Sequence, residues 1–187
     1  MDAPANLTGR LLVATPEIGD GVFRRSVVLV LHHGDDGAQG IILNRPLEAE
    51  VDAVLPRWGR LAVGGPQVYY GGPVQTDSAL GVVSLPGGAL EPNGIKRLYD
   101  EVALVDLEAD PDDVGLHIQG MRVFVGYAGW SPGQLENEIA TGSWYVVDRV
   151  AGDALALDAE RLWRLVLARQ FGPLSLLATF PDDPSLN

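Results

Sequence analysis

Two apolar runs joined by four residues constrain the fold of this chain more than any other feature. Residues 26–33 and 38–44 are rich in valine, leucine and isoleucine, and Gly34-Asp35-Asp36-Gly37 connects them. Glycine can adopt the positive φ of a tight connection, and aspartate favours turns. The pattern therefore predicts a β-hairpin over residues 26–44.

Most other apolar runs are also short and carry β-branched or aromatic residues, which predicts that strands dominate. The clearest helix is expected over residues 158–170, from a capping Asp158 to a stop at Gly172-Pro173, and a shorter one over 48–55. Residues 107–116 are expected to form a turn with one helical turn, and 174–180 fit either a strand or a final helical turn. Besides the hairpin, the predicted strands are 10–15, 68–71, 80–85, 102–105, 121–128 and 143–148.

The composition is that of one folded domain spanning residues 1–187, with 47% hydrophobic residues. Residues 1–8 and 181–187 are expected to be loosely held ends. No signal-peptide pattern is present and no uncharged stretch approaches the ~18 residues of a membrane span, so we expect a cytoplasmic protein without membrane association. Because cysteine is absent, disulfides, thiolate nucleophiles and cysteine-built metal sites are excluded.

The charge balance argues against nucleic-acid binding. Twenty-five acidic residues stand against 13 basic ones, which gives a formal net charge of −12. Lys96 is the single lysine, and the arginines are scattered except for the pair Arg24-Arg25. Nucleic-acid affinity depends on clustered cations that release counterions, so direct DNA or RNA binding is disfavoured.

Gly129-Trp130-Ser131-Pro132-Gly133 spells G-x-S-x-G, the pattern around the nucleophilic serine of many hydrolases. In that mechanism the amide N–H after the serine helps to hold the oxyanion, but Pro132 has no N–H. The hydrolase order also places the histidine after the serine, whereas His32, His33 and His117 all precede it. The sequence therefore disfavours a hydrolase at Ser131.

A helix start explains the same residues. Ser131 fits an N-cap, and Gln134 three residues later can close a capping box. Trp130 and Leu135 fit the hydrophobic staple, and Gly142 fits the residue after the helix end. The sequence predicts a helix of about ten residues here, on which Glu136 and Glu138 lie two apart and are expected to be solvated rather than an acid/base pair.

Several separate segments form a recognisable pattern, above all Gly9 to Pro16, Asn44-Arg45-Pro46, Gly71 to Val74 and Gly126 to Trp130. Together they resemble the AlgH/YqgE family of bacterial proteins, whose members are mostly uncharacterised. Order and spacing agree over residues 9–170. The resemblance implies an α+β fold in which a mostly antiparallel, bifurcated sheet curls into a barrel-like layer with a few packed helices. Some members carry the label of transcriptional regulator, although the family pattern contains no recognised DNA-binding motif. The matching residues are Gly9 to Pro16, Phe23, Ser26 to Val28, His32, Gly37-Ala38, Gly40, Asn44-Arg45-Pro46, Gly71 to Val74, Gly126 to Trp130, Gly133 to Glu136, Glu138-Ile139 and Trp144.

Polar, aromatic and glycine residues at three predicted strand ends form the candidate ligand-binding site, on the expectation that the three segments converge. The planar fork of Arg45 suits a carboxylate or phosphate, and Trp130 suits stacking on a ligand. Each residue also has a structural alternative, namely an Asx turn with an internal ion pair, a tight turn, or the staple. The candidate residues are Asn44, Arg45, Gly72, Pro73, Trp130 and Gln134.

The sequence thus predicts a non-catalytic cytoplasmic binding or regulatory protein with a protein or small-molecule partner, and with only indirect effects on transcription. No catalytic residue, metal ligand or cofactor is assigned. Two alternatives remain open besides Ser131: a direct DNA-binding regulator, and a weak metal site that pairs His33 with Asp35 or Asp36. His32 and His33 are strand neighbours that point to opposite faces, so together they do not form one metal site.

Overall fold

The structure is a computed structural model that describes residues 5–182, and within them it contains ten β-strands and five α-helices. Residues 1–4 and 183–187, which belong to the predicted loose ends, lie outside the described residues. The strands are β1 (Leu11–Ala14), β2 (Val27–Gly34), β3 (Gly37–Ile42), β4 (Pro46–Glu50), β5 (Gln67–Tyr70), β6 (Val74–Ser84), β7 (Ile95–Tyr99), β8 (Val102–Val105), β9 (Gly120–Trp130) and β10 (Trp144–Val147). The helices are α1 (Val51–Val54), α2 (Pro111–Gly115), α3 (Gln134–Ala140), α4 (Leu162–Ala168) and α5 (Pro173–Leu177), with short 3₁₀ turns at Gly59–Leu61, Asp153–Leu155 and Ala159–Arg161.

The strands form one curled sheet in the order β10-β1-β2-β3-β9-β6-β8-β7. All neighbours on this path are antiparallel, and β4 joins through β5, which runs parallel to β9. The predicted hairpin is confirmed, since β2 and β3 pair up to Gly34 opposite Gly37. The expected α+β fold with a mostly antiparallel, curled sheet and few helices is therefore confirmed.

The sheet divides at β9. One edge of this strand pairs with β6, whereas the other pairs with β3 near Trp130 and with β5 near Phe124. At the division the main chains cross closely: a Cβ added to Gly72 would lie 2.1 Å from the carbonyl carbon of Tyr127, and one added to Gly126 would lie 2.2 Å from Gly72 O. Only glycine fits such a crossing.

Strands β1, β2 and β3 are buried on both faces, which explains their nearly continuous apolar runs. Along β1, Leu11 and Val13 join the core cluster beneath α4, whereas Leu12 and Ala14 join the cluster beneath α3. Trp163 of α4 is 3% exposed, and its indole N–H donates to Ala14 O at 2.9 Å. A third cluster packs under α1 and α2 at the β7–β8 end.

Arg122 is the unexpected buried residue of β9, with 1% exposure. Its guanidinium lies 4.2 Å from the centre of the Tyr69 ring and donates to Val63 O and Ala156 O, each at 3.0 Å. Burial lowers the pKa of this guanidinium. Arg122 thereby fixes two loops to the central strand.

The local predictions miss two strands, place the start of β6 at residue 80 instead of Val74, and make two helices too long. Strands β4 and β7 were not predicted, because one begins with proline and exposes its acidic residues and the other carries Lys96-Arg97. The helix predicted over 48–55 is limited to α1, since residues 46–50 pair with β5 instead. The helix predicted over 158–170 starts as a 3₁₀ turn and becomes α-helical at Leu162, while the Asp158 carboxylate accepts from Arg161 at 3.3 Å rather than capping. Residues 173–177 form a helical turn, so the strand alternative for that segment is wrong.

Candidate functional site

The Ser131 corner connects β9 to α3, and its geometry corrects one part of the helix-start prediction. The helix begins at Gln134 rather than directly after Ser131, because Gly133 adopts a left-handed φ of 78° that interrupts the helical run. Residues 131–133 form a separate turn in which Gln134 N donates to Ser131 O at 3.0 Å. The predicted return bond is confirmed, since Ser131 N donates to the Gln134 side-chain oxygen at 3.0 Å. The Ser131 hydroxyl is held by the same oxygen at 3.2 Å.

The C-terminal end of α3 is capped as predicted, with Gly142 as the residue after the helix end. Gly142 N donates to Ile139 O at 3.1 Å and Ser143 N donates to Glu138 O at 2.8 Å, which are the two bonds of a Schellman motif. Trp130 and Leu135 lie in the same buried cluster, as the staple requires. The helix therefore has a fixed length and a fixed position on the sheet.

Glu138 of α3 is the polar centre of this corner. One of its carboxylate oxygens accepts the indole N–H groups of Trp130 at 2.8 Å and of Trp144 at 2.9 Å, and the other accepts the Gln134 amide at 3.0 Å. The Trp130 and Trp144 rings meet edge to face with centroids 6.2 Å apart, and Phe23 meets Trp144 likewise at 5.8 Å. Three N–H donors, two of them indoles, thus hold one carboxylate.

A groove of about 470 Å³ opens beside this carboxylate, between α3 and the loop at residues 18–23. We call it the tryptophan groove. It brings together three of the six predicted site residues, namely Pro73, Trp130 and Gln134. Asp20 and Glu138 supply its charges, and none of the described residues lining it is an arginine or lysine. The lining residues are Ile18, Asp20, Gly21, Val22, Phe23, Pro73, Gly129, Trp130, Gln134, Glu138, Ser143 and Trp144.

The other predicted site residues lie outside this lining. Asn44 is 3% exposed, accepts from Val27 N and donates to Arg25 O, both at 2.9 Å. Arg45 donates to Arg24 O. The space beside Gly72 is occupied by the main chain of Tyr127. Asn44 and Arg45 thus hold the main chain at the Arg24–Arg25 pair, a role for which the sequence offered only the Asx-turn alternative.

The pairing of His33 with Asp35 or Asp36, the alternative that would give a weak metal site, is not found in the structure. His33 is buried, its Nδ1 accepts from Leu7 N at 3.0 Å, and its Nε2 lies 2.6 Å from Glu136 Oε1, so both ring nitrogens are engaged. The exposed His32 is the one that meets Asp36, at 2.9 Å. Their opposite directions follow the strand alternation that the sequence predicted. Across residues 5–182 there is no group of three or more His, Asp or Glu side chains that could hold a metal ion.

Hydrogen bonds to these histidines lower the pKa values of two carboxylates. The bond from His33 lowers the pKa of Glu136, and a main-chain bond lowers it further. The bond to His32 lowers the pKa of Asp36 in the same way. Neither Glu136 nor Glu138 is the freely solvated helix charge that the sequence suggested, because both accept bonds from other elements. The sequence feature that could have indicated the buried role of Glu138 is Trp144, whose indole N–H is the second to donate to its carboxylate.

Similarity to known proteins places this fold in a family. The model of the AlgH-like family matches residues 11–175, so the chain belongs to this family. The resemblance seen in the sequence is thereby confirmed.

Similar proteins span nearly the whole chain. A UPF0301 protein of Streptomyces coelicolor is 50% identical over 190 residues, covering 100% of this chain and 98% of that protein. The crystal structure of a Corynebacterium diphtheriae protein superposes with a TM-score of 0.86 at 33% identity, covering 96% of this chain and 95% of that one. The solution structure of AlgH from Pseudomonas aeruginosa gives 0.69 at 28% identity, with 98% of both chains covered. In the described part of the chain, no helix has the length and apolarity needed to span a membrane.

Proposed function

We propose that this AlgH-like chain is a non-catalytic cytoplasmic binding protein whose tryptophan groove takes a positively charged side chain of a protein partner. The observation that supports this most is the Glu138 carboxylate, which both indole N–H groups hold beside the groove. A carboxylate among aromatic rings suits arginine, lysine or a quaternary ammonium group, because the rings and the charge both attract cations. Asp20 adds a second negative charge to the lining.

The whole-chain charge favours the same type of partner. A net charge of −12 attracts basic surfaces and repels nucleic acid. Any effect on transcription would therefore pass through a bound protein rather than through DNA. A gel-shift assay at two salt concentrations tests this part, and a band shift that weakens steeply with salt would contradict it.

The Ser131 geometry supports a non-catalytic role. Its hydroxyl bonds to Gln134 rather than to a histidine, and its neighbour Pro132 has no N–H to offer an oxyanion. The buried imidazole of His33 is bonded to Glu136. A fluorophosphonate probe for reactive serines should leave the protein unlabelled, and labelling that Ser131→Ala abolishes would restore the hydrolase alternative.

The groove itself can be tested through its two indoles. The chain has four tryptophans, and their indole N–H signals are separate reporters in a ¹⁵N NMR spectrum. N-acetyl-arginine amide should shift the Trp130 and Trp144 signals and leave those of Trp58 and Trp163, which lie in other core clusters, unchanged. N-acetyl-glutamate amide serves as the matched anionic probe. Equal shifts with both probes would contradict a cation site.

Two variants test whether the arginine-dependent shifts arise in the tryptophan groove. Glu138→Gln keeps the shape of the side chain but removes its charge, so it should abolish the arginine-dependent shifts. Arg45→Ala should leave them intact, because Arg45 lies outside the groove lining. Capture of the same partner from native cell extract by Arg45→Ala but not by Glu138→Gln would extend the result to a protein. Capture by Glu138→Gln but not by Arg45→Ala would instead indicate a partner-binding site at Asn44 and Arg45.

A further inference from the structure

Arg24 and Arg25 are the one pair of adjacent arginines in the sequence, and they lie beside a second surface. The loop at residues 15–25 has the tryptophan groove on one side and a small cavity of about 90 Å³ on the other, with Ile18 lining both. Arg24, Arg25 and Trp163 line the small cavity together with Phe180 and Pro181. The two surfaces therefore have opposite charge.

Arg24 and Arg25 at this cavity, together with Arg164 of α4, bind the C-terminal end of the described chain. We call Arg24, Arg25 and Arg164 the arginine patch. Asp182 Oδ1 accepts from Arg25 at 2.7 Å and from Arg164 at 2.8 Å. The remaining bonds go to main-chain carbonyls: Arg24 to Asp182 O, Arg25 to Phe180 O at 3.1 Å and to Pro181 O, and Arg164 to Ala178 O at 2.5 Å.

Within the described residues, the three positive charges of the patch exceed the one negative charge that meets them. Among residues 5–182, Asp182 is the one carboxylate that pairs with this patch; it contacts the guanidinium groups of Arg25 and Arg164, and its side chain is 83% exposed. Burial and the neighbouring Arg164 lower the pKa of Arg25, and burial and Arg24 lower the pKa of Arg45 just behind it. A further anion would relieve this repulsion.

The patch is held in place before anything binds. Arg25 has a left-handed φ of 53°, which costs about 1 kcal/mol for a residue with a side chain. Asn44 fixes its carbonyl at 2.9 Å, and Arg45 bonds the carbonyl of Arg24. The Arg25 guanidinium stacks 4.6 Å from the Trp163 ring. Unfavourable backbone conformations that several contacts maintain are typical of binding sites.

We infer that the arginine patch is a binding site for an acidic peptide segment of a partner protein, and that the chain's own residues 178–182 occupy it in the free state. Four of the contacts are to main-chain carbonyls, which a peptide offers and a free anion or a nucleic-acid backbone does not. One carboxylate completes the set, as expected for an acidic motif bound by an arginine cluster. The inference does not depend on the tryptophan groove, because it concerns a different surface.

The full-length chain can report this competition. The probe is a fluorescent peptide with the sequence ATFPDDPSLN of residues 178–187, followed by fluorescence anisotropy. In Asp182→Asn the internal segment loses its carboxylate contacts, so the added peptide should bind about five-fold more tightly than to the wild type, a change of the size expected for one exposed charged contact. Added salt should weaken the binding.

Matched controls make the outcome decisive. Arg25→Ala combined with Asp182→Asn should abolish peptide binding, whereas Arg161→Ala, which removes an exposed arginine bonded to Asp158, should leave it unchanged. A probe with both aspartates replaced by asparagine should not bind. The inference would be overturned if the two peptides bound equally well. It would also be overturned if Asp182→Asn lowered the melting temperature but bound no peptide, because the C-terminal contact would then be purely structural. Preferential binding of a short DNA duplex would overturn it in favour of nucleic acid.

Discussion

His33 Nε2 on strand β2 lies 2.6 Å from Glu136 Oε1 on helix α3. Because His33 Nδ1 accepts from Leu7 N, the proton of the neutral ring resides on Nε2. The Nε2–H group therefore donates a hydrogen bond to the Glu136 carboxylate. The pair therefore fixes α3 to the hairpin, and with it the wall of the tryptophan groove. It also connects residue 7, near the start of the described chain, to the same helix.

Glu136→Gln should destabilise the protein by about 1 kcal/mol at neutral pH, because a neutral amide oxygen accepts from His33 Nε2–H more weakly than the carboxylate does. The pKa of Glu136 is lower in the folded state, so its contribution is fully present above the ordinary glutamate pKa of about 4.3 and is lost as the pH falls through the lowered value. Urea unfolding from pH 7 to pH 3 should show the two proteins converging at the acid end. The exposed Glu160→Gln is the control, and an equal effect of both changes would argue against the pair.

Gly72→Ala should abolish the native fold or destabilise it by more than about 3 kcal/mol, because the added Cβ would lie 2.1 Å from the Tyr127 main chain. Gly88→Ala is a matched control: Gly88 also has a positive φ, of 75°, but nothing lies within 4 Å of its added Cβ. It should cost about 1 kcal/mol. Thermal unfolding by circular dichroism distinguishes the two, and similar melting temperatures would contradict the crossing described here.

Asn44→Asp should destabilise the protein by about 2 kcal/mol, because the buried amide both accepts from Val27 N and donates to Arg25 O. A carboxylate can still accept, but it has no proton for the carbonyl. Chemical denaturation measures the loss. An unchanged midpoint would show that Asn44 does not hold the Arg25 carbonyl.

Gln134→Ala should destabilise the protein more than Ser131→Ala. The glutamine oxygen accepts the Ser131 amide and hydroxyl, and the glutamine amide donates to Glu138. Loss of these bonds should cost about 1 kcal/mol, whereas removal of the exposed hydroxyl should cost less than about 0.5 kcal/mol. Thermal unfolding of both variants checks the order, and the opposite order would favour the N-cap role that the sequence suggested for Ser131.

The strands that could be predicted are those that carry runs of buried apolar or aromatic side chains. In β1 to β3 these runs are nearly continuous, because α3 and α4 cover opposite sides of the sheet. Strands β4 and β7 lie at the sheet margins and carry exposed charged residues beside their few buried or half-buried ones, so their side-chain pattern gave no strand signal. The start of α3 was misplaced for a related reason, since the left-handed φ of Gly133 depends on the path of the main chain rather than on a side-chain pattern.

The candidate site was predictable only in part. Pro73, Trp130 and Gln134 line one groove because β9 and the β5–β6 turn meet at the sheet division. Asn44 and Arg45 resemble ligand-binding residues in sequence, since buried polar groups that bond the main chain are of the same types as those that bond ligands. Arg122 shows the remaining limit: its partners are a ring and two carbonyls from distant segments, and local sequence contains no trace of them.

The pairing of β1 with β10 has a consequence for synthesis on the ribosome. Leu11 lies opposite Val147, so the first strand receives its outer neighbour only after residues 144–147 have been synthesised. The nascent chain must keep the free edge of β1 from associating with other molecules until then. Such distant pairing also predicts a slow final folding step, which refolding kinetics should detect as a late rise in the signal of Trp144, the residue opposite Ala14.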